Sequence, residues 1–191
     1  MEKENPDIRL LIKECIRNNH KAQLQLYKLF AKSMYNTSLR MVQNAATAED
    51  IVQESFLSAY RSLKNFREEI PFSVWLRRIT INKSLDYLRK KQRSFLDFNE
   101  DIEDYSDSHT YESTDDTNAL RKELIEHIKE EMKLLPDGYR VIFSLYYFEG
   151  YDHNEIGQIL NITPSSSRSQ LTRAKQRIIS NLNEKKIRHV R

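Results

Sequence analysis

Glycine, proline and cysteine are scarce in this chain of 191 residues, which holds three Gly, four Pro and one Cys. So few turn formers and helix breakers argue for an all-α protein. The single Cys15 excludes an internal disulfide, as expected of a reducing compartment, and at an apolar helical position it reads as a small buried hydrophobe. No stretch approaches the roughly 18 consecutive apolar residues of a membrane span, and the N-terminus carries no apolar signal-peptide core. A cytoplasmic protein with no membrane insertion is therefore expected. There is no glycine-rich phosphate loop, and the five histidines, His20, His109, His127, His153 and His189, form no ligand-spaced cluster. No enzyme activity, no cofactor and no metal site are expected.

What the chain does have is charge, unevenly placed. Hydrophobic residues make up 39% and aromatics 10%, enough for one or two cores of moderate size. The formal net charge of +3 hides a segregation. Residues 1–93 hold 18 Lys and Arg against 10 Asp and Glu, residues 119–191 hold 13 against 9, and residues 94–118 hold nine acids with no Lys or Arg. Two small basic helical domains, 1–93 and 119–191, are thus joined by an acidic linker, 94–118. The linker is rich in Ser, Thr, Asp, Glu and Asn, shows no helical periodicity, and reads as an extended or disordered tether. At about 3.3 Å per residue it could reach roughly 80 Å, or about two turns of duplex DNA.

In the first domain apolar spacing predicts four helices. Residues 7–17 carry Ile8, Leu11, Ile12 and Cys15, and residues 21–42 carry Leu24, Tyr27, Phe30, Met34 and Tyr35 as core stripes. The third helix starts at Thr47, with Asp50 as a capping-box-like partner, and runs through Ile51, Val52, Phe56, Leu57 and Tyr60. Its exposed side holds Glu49, Asp50, Gln53 and Glu54, which either complement the helix macrodipole or dock a basic partner. The fourth helix, 71–93, buries Phe72, Trp75, Leu76, Ile79, Leu85 and Leu88, with Trp75 read as core rather than as a platform for a base. Its solvent side carries Arg78, Asn82, Asp86, Arg89 and Arg93, flanked by Arg77, Lys83, Lys90 and Lys91. With Asp86 as its only acid, that stripe is an electrostatic footprint for nucleic acid.

In the second domain residues 152–177 read as helix, three-residue turn and helix. Asp152 with Glu155 caps the first helix, whose Ile156, Ile159 and Leu160 pack inward. Asn161 suits a left-handed backbone in the turn, Thr163 is the next N-cap and Pro164 the first helical residue. At 100° per residue, Ser167, Leu171, Ala174 and Ile178 fall within about 60° of arc and form a packing seam. The opposite face shows Ser165, Ser169, Thr172, Arg173 and Gln176, flanked by Ser166 and Arg168, and no acid intrudes between Pro164 and Asn183. A helix-turn-helix places such a helix in the major groove, where Arg meets guanine, Gln meets adenine and Ser or Thr either. A plain helical hairpin with a polar face is the alternative.

The run Ala48-Glu49-Asp50-Ile51-Val52-Gln53-Glu54-Ser55-Phe56-Leu57, Trp75-Leu76 with Ile79 and Asn82, Leu135-Pro136 with Arg140, Glu149-Gly150, Glu155-Ile156, Ile159-Leu160 and Arg173-Ala174-Lys175 together resemble the bacterial sigma-70 family. The resemblance covers about 20–93 and 119–182, and the direct passage between two domains resembles the extracytoplasmic-function (ECF) group, which keeps only sigma domains 2 and 4. It implies a sigma factor that binds core RNA polymerase and directs promoter recognition. Asp50, Gln53, Glu54, Phe56, Leu57 and Tyr60 would meet the clamp helices of the largest polymerase subunit. Asn65, Phe66, Arg67, Arg78, Asn82, Lys83, Arg89 and Lys90 would bind the minus-ten strand of promoter DNA as it opens. Ser165, Ser166, Arg168, Ser169, Gln170, Thr172, Arg173 and Gln176 would read the minus-thirty-five element. The tether would follow the path of nascent RNA, and an anti-sigma factor is an implied partner.

The chain departs from the family pattern at several places. Gln170 stands where Arg is usual, Asn161 where Gly is usual in the turn, Ser167 where Val is common in the seam, and Ile81 where a basic residue is frequent. On the helical projection Gln170 lies at the flank of the exposed face, below Ser165, Ser169 and Arg173 as a base reader. A stand-alone helix-turn-helix regulator is the rival reading, but it leaves the acidic patch at Asp50 to Glu54 and the acidic tether unused. A helical adaptor that binds only protein leaves the basic stripe from Arg78 to Arg93 unused.

Overall fold

The computed structural model describes residues 6–91 and 118–189. Apart from Asn118, the acidic linker, with the path expected of it, lies outside the described residues, as does Arg93. Among the described residues there are eight α-helices and no strand: α1 (Pro6–Ile16), α2 (His20–Val42), α3 (Ala45–Ser62), α4 (Phe72–Lys91), α5 (Asn118–Lys133), α6 (Asp137–Tyr147), α7 (His153–Leu160) and α8 (Pro164–His189). Among those residues no helix is long and apolar enough to cross a membrane.

Local chemistry sets most helix ends. Asn19 caps α2, its side-chain oxygen accepting from the Lys21 and Ala22 amides at 3.0 and 3.4 Å, and Gln43 ends the helix in a left-handed conformation, φ 54°. The expected start of α3 at Thr47 is corrected to Ala45: Asn44, a stronger N-cap than Thr, accepts from the Thr47 amide at 2.9 Å, and two alanines extend the helix.

Helices α1 to α4 enclose one core, centred on Leu26, Met34, Phe56, Phe72 and Leu76. Cys15 lies in it, and burial pushes its thiol up to about 11. Leu24, expected in the core stripe of α2, is instead 53% exposed, because the buried line runs through Ala22, Leu26, Met34 and Met41. The remaining helices do not build a separate core. Ile142, Leu145, Ile156, Leu160 and Leu171 belong to one apolar cluster with Met41, Val42, Ile81 and Leu85 of the first domain, and α6 packs on α2. The two domains expected from the charge pattern therefore lie against each other.

Within the second domain α5, α6 and α7 all pack on α8. The approach of α7 to the following turn is close at Gly157, where a Cβ would lie 2.8 Å from the backbone oxygen of Ile162. Gly157→Ala is expected to destabilise the protein by about 1–3 kcal/mol, because the backbone must yield, although alanine favours an open helix by about 1 kcal/mol over glycine. Thermal denaturation checks this, and a rise in Tm would show that the turn has slack.

Candidate nucleic-acid interface

The helix-turn-helix forms as its residues dictate. Asp152 and Glu155 complete a reciprocal capping box on α7, each side chain accepting from the other's backbone amide at 2.8–2.9 Å. Asn161 takes the left-handed backbone, φ 58°, that turns the chain between helices. Thr163 Oγ1 accepts from the Ser166 amide at 3.0 Å, and Pro164 opens α8. His153 ties the two helices together: its Nδ1 shares a 2.9 Å hydrogen bond with Ser167 Oγ, and its ring stacks on Tyr146 at 5.0 Å. Burial, reinforced by nearby Arg168, holds this imidazole below its ordinary range and so favours its neutral form.

The expected seam is buried at all four positions, Ser167, Leu171, Ala174 and Ile178. Ser165, Arg168, Ser169 and Gln176 are exposed, and Ser166, Thr172 and Arg173 are half-buried. Gln170 departs from the expectation: it is only 5% exposed, and its amide nitrogen donates to Ser166 Oγ at 3.2 Å. The apolar seam marks only part of the buried face: three helices pack on α8 and widen the buried arc to about 100°, from Gln170 to Leu171.

On α4 the charged stripe is present, but its ends differ. Arg89 and Lys90 are open to solvent, Arg89 being paired only with Asp86 at 3.3 Å, and Lys83 reaches back to Glu54 on α3 at 3.4 Å. Arg78 and Asn82 are exposed too, and they line a cleft with Tyr151, Glu155, Gln158 and Ile159 of the second domain. Burial raises the Tyr151 phenol above its ordinary range, against the opposing pull of a hydrogen bond from Arg78. Ile81, set where a basic residue is frequent, lines the same cleft with 1% exposure. In the loop before α4, Asn65 and Arg67 are exposed, whereas Phe66 turns inward on Phe72 and Trp75 at 5.7 and 5.0 Å. Trp75 is part of that cluster, in keeping with a packing role.

The α3 surface presents Asp50, Gln53, Glu54 and Leu57, the last 54% exposed. Beside it Tyr27, Lys32 and Tyr35 of α2 form a shallow groove with Glu49, Val52 and Gln53. Phe56 is corrected from a contact residue to a core residue: it is 2% exposed and packs on Tyr27 at 4.8 Å. Tyr60 is half-buried, its hydroxyl donating to the Gln23 carbonyl at 2.8 Å.

Of the polar residues where the domains meet, the sequence reading assigned no role to Arg40 and Tyr151, placed Arg77 only beside the basic stripe, and used Arg140 and Glu149 only as marks of the family resemblance. The one local signal was Arg140 preceding the apolar run Val141-Ile142-Phe143. Among the described residues no group of three His, Cys, Asp or Glu side chains could hold a metal.

A model of Sigma-70 region 2 matches residues 26–94 and one of Sigma-70 region 4 matches residues 125–178. The ECF RNA polymerase sigma factor SigW of Bacillus subtilis is 29% identical over 182 residues, 93% of this chain and 97% of that protein. The ECF RNA polymerase sigma-E factor of Haemophilus influenzae is 32% identical over 134 residues, 68% of this chain and 71% of that protein. Among solved structures, CnrH in complex with the cytosolic domain of CnrY has a similar fold, with a TM-score of 0.54 at 22% identity over 92% of this chain and 97% of that one. The sigma factor RpoE in complex with the anti-sigma factor NepR from Bartonella quintana gives 0.55 at 20% identity over 83% and 95%. The chain belongs to the sigma-70 family, in its ECF group of RNA polymerase sigma factors.

Proposed function

We propose that this sigma factor divides its work as follows: residues 1–93 serve as region 2, residues 119–191 as region 4, and 94–118 as the linker between them. The exposed row Asp50, Gln53, Glu54 and Leu57 docks on the polymerase clamp helices, with the neighbouring α2–α3 groove taking an apolar side chain of the partner. Asn65, Arg67, Arg78, Asn82, Lys83, Arg89 and Lys90 hold the minus-ten strand, and Ser165, Ser166, Arg168, Ser169, Thr172, Arg173 and Gln176 read the minus-thirty-five element. Gln170 is placed below these because it is buried. The protein catalyses nothing itself, acts in the cytoplasm, and is held inactive by an anti-sigma factor until needed.

The observation that carries this reading is the outward face of α8. It carries no acid between Pro164 and Asn183, the positive end of the helix dipole lies at its first turn, and its serines and arginines sit on a helix whose start is fixed by Asn161 and Thr163. The test mixes the purified protein with sigma-free core polymerase and a pool of promoter DNA. A stable complex and specific transcripts are expected; absence of both would sink the reading. Arg173→Ala is expected to weaken promoter binding by about 1–3 kcal/mol, chiefly at one base pair. An unchanged preference at every position would remove Arg173 from the base readers.

A further inference from the structure

We infer that α1 belongs to the strand-capturing device: Arg9 holds Glu68, and this pair sets the loop that presents Asn65 and Arg67. This rests on the reading of Asn65 and Arg67 as minus-ten contacts. The Sigma-70 region 2 match begins at residue 26, so α1 lies before it. The helix is nonetheless built into the core of the domain. Ile12 and Cys15 are buried in the same cluster as Leu63 and Phe72, and Ile8, Leu11 and Ile16 pack against it. Besides α2, the helix packs on the single 3-10 turn Leu63–Asn65, which follows α3 and opens the loop. The apolar stripe of α1 therefore fixes its exposed side, which carries Arg9, beside the loop.

From Phe66 to Pro71 the chain is neither helix nor strand, and it carries two exposed acids, Glu68 and Glu69, on the segment that would receive a polyanion. Each carboxylate is met by an arginine. Arg67 Nη1 lies 4.0 Å from Glu69, the outer limit of an ion pair, whereas Arg9 Nε lies 3.5 Å from Glu68. An exposed pair of this kind adds little to stability, because water screens the charges and two long side chains lose freedom. Its effect on position is larger. One end of the pair starts from a packed helix, so the loop is the part that it orders. Phe66 anchors the near end of the loop on Phe72 and Trp75, and Arg9 restrains its middle. With Glu68 held by Arg9, Arg67 has only the long contact to Glu69 to give up when a phosphate arrives.

Charge exchange in the full chain tests this, with core polymerase on a promoter recovered from the pool and opening read by the permanganate reactivity of unpaired thymines. Arg9→Glu and Glu68→Arg are each expected to slow opening about fivefold, the upper end for an exposed pair, and the double exchange to return it to within about twofold of wild type. All three should keep the wild-type Tm within about 4 °C, since both side chains are exposed. Glu68→Arg is the decisive variant: it adds positive charge to the loop, so attraction for DNA alone would speed opening. A Glu68→Arg protein that opens promoters as fast as wild type or faster would overturn the positioning role, as would a double exchange no better than the single variants. Arg67→Ala separates this from the reading beneath it. If Arg67→Ala slows opening while the exchanges leave it unchanged, the loop captures the strand without α1. If Arg67→Ala itself leaves opening unchanged, the loop reading falls and the role of α1 falls with it.

Discussion

Arg140→Ala is expected to remove about 3–5 kcal/mol of stability, the cost of stripping one partner from a buried, fully hydrogen-bonded charge. The Arg140 side chain is 6% exposed, and its guanidinium serves three acceptors: the Met41 carbonyl at 3.1 Å, the Leu135 carbonyl at 2.7 Å and the Asp137 carboxylate. The Leu135 carbonyl lies just beyond α5 and Asp137 begins α6, so one side chain fixes the angle between these helices. Truncation leaves two carbonyls and a carboxylate, itself 17% exposed, without their donor. Arg140→Lys keeps the charge but replaces a planar fork with one ammonium that cannot reach all three, so an intermediate loss is expected. Urea denaturation checks both, with the midpoint falling at constant slope. A loss below about 1 kcal/mol for the alanine variant would mean that water fills the site and that the guanidinium does not organise the helix junction.

What the sequence disclosed and what it concealed divide along contact range. The capping box of Asp152 and Glu155, the left-handed Asn161 and the start at Thr163 and Pro164 are encounters within a few residues, and the structure bears them out. The seam through Ser167 and Ile178 was equally visible, since a single helix's period sets it. Gln170 was misplaced because its burial depends on helices that the local pattern does not reveal. Phe56 shows the same limit from the other side, as its position in a recognised motif concealed that its ring points into the core. The Arg40–Glu149 and Arg140–Met41 contacts join residues 109 and 99 positions apart, and no periodicity announces a partner at that distance. Their consequence is large: a chain that reads as two basic beads on an acidic string folds with the beads in contact.

That contact bears differently on the two surfaces proposed to face DNA. The exposed side of α8 lies on a helix packed by α5, α6 and α7 of the same domain. On α4, Arg89 pairs with Asp86 and Lys90 is exposed, while Arg77 pairs with Glu149 and the exposed Arg78 bonds to Tyr151 of region 4.

Phe72→Ala is expected to cost about 3–5 kcal/mol, the range for emptying an aromatic site in a packed core. Phe72 is fully buried at the start of α4 and touches three rings: Phe30 at 5.4 Å, Phe66 at 5.7 Å edge-on, and Trp75 at 5.7 Å. Phe66 belongs to the loop that carries Asn65 and Arg67, and besides its amide bond to the Leu63 carbonyl it is these rings that hold it. The variant should therefore loosen the loop as well as region 2. Phe72→Leu, which keeps most of the volume, should cost about 1.5 kcal/mol or less while losing the edge-on contact worth about 0.5–1.5 kcal/mol. Denaturation separates the two in stability, and transcription at a temperature where both remain folded separates them in function. If the alanine variant, still folded, opens promoters as well as wild type, the ring cluster supports the domain without positioning the loop. If it binds duplex promoter normally but fails at opening, Phe66 and Phe72 act through Asn65 and Arg67, and the aromatic core beneath α4 is part of the strand-capturing device.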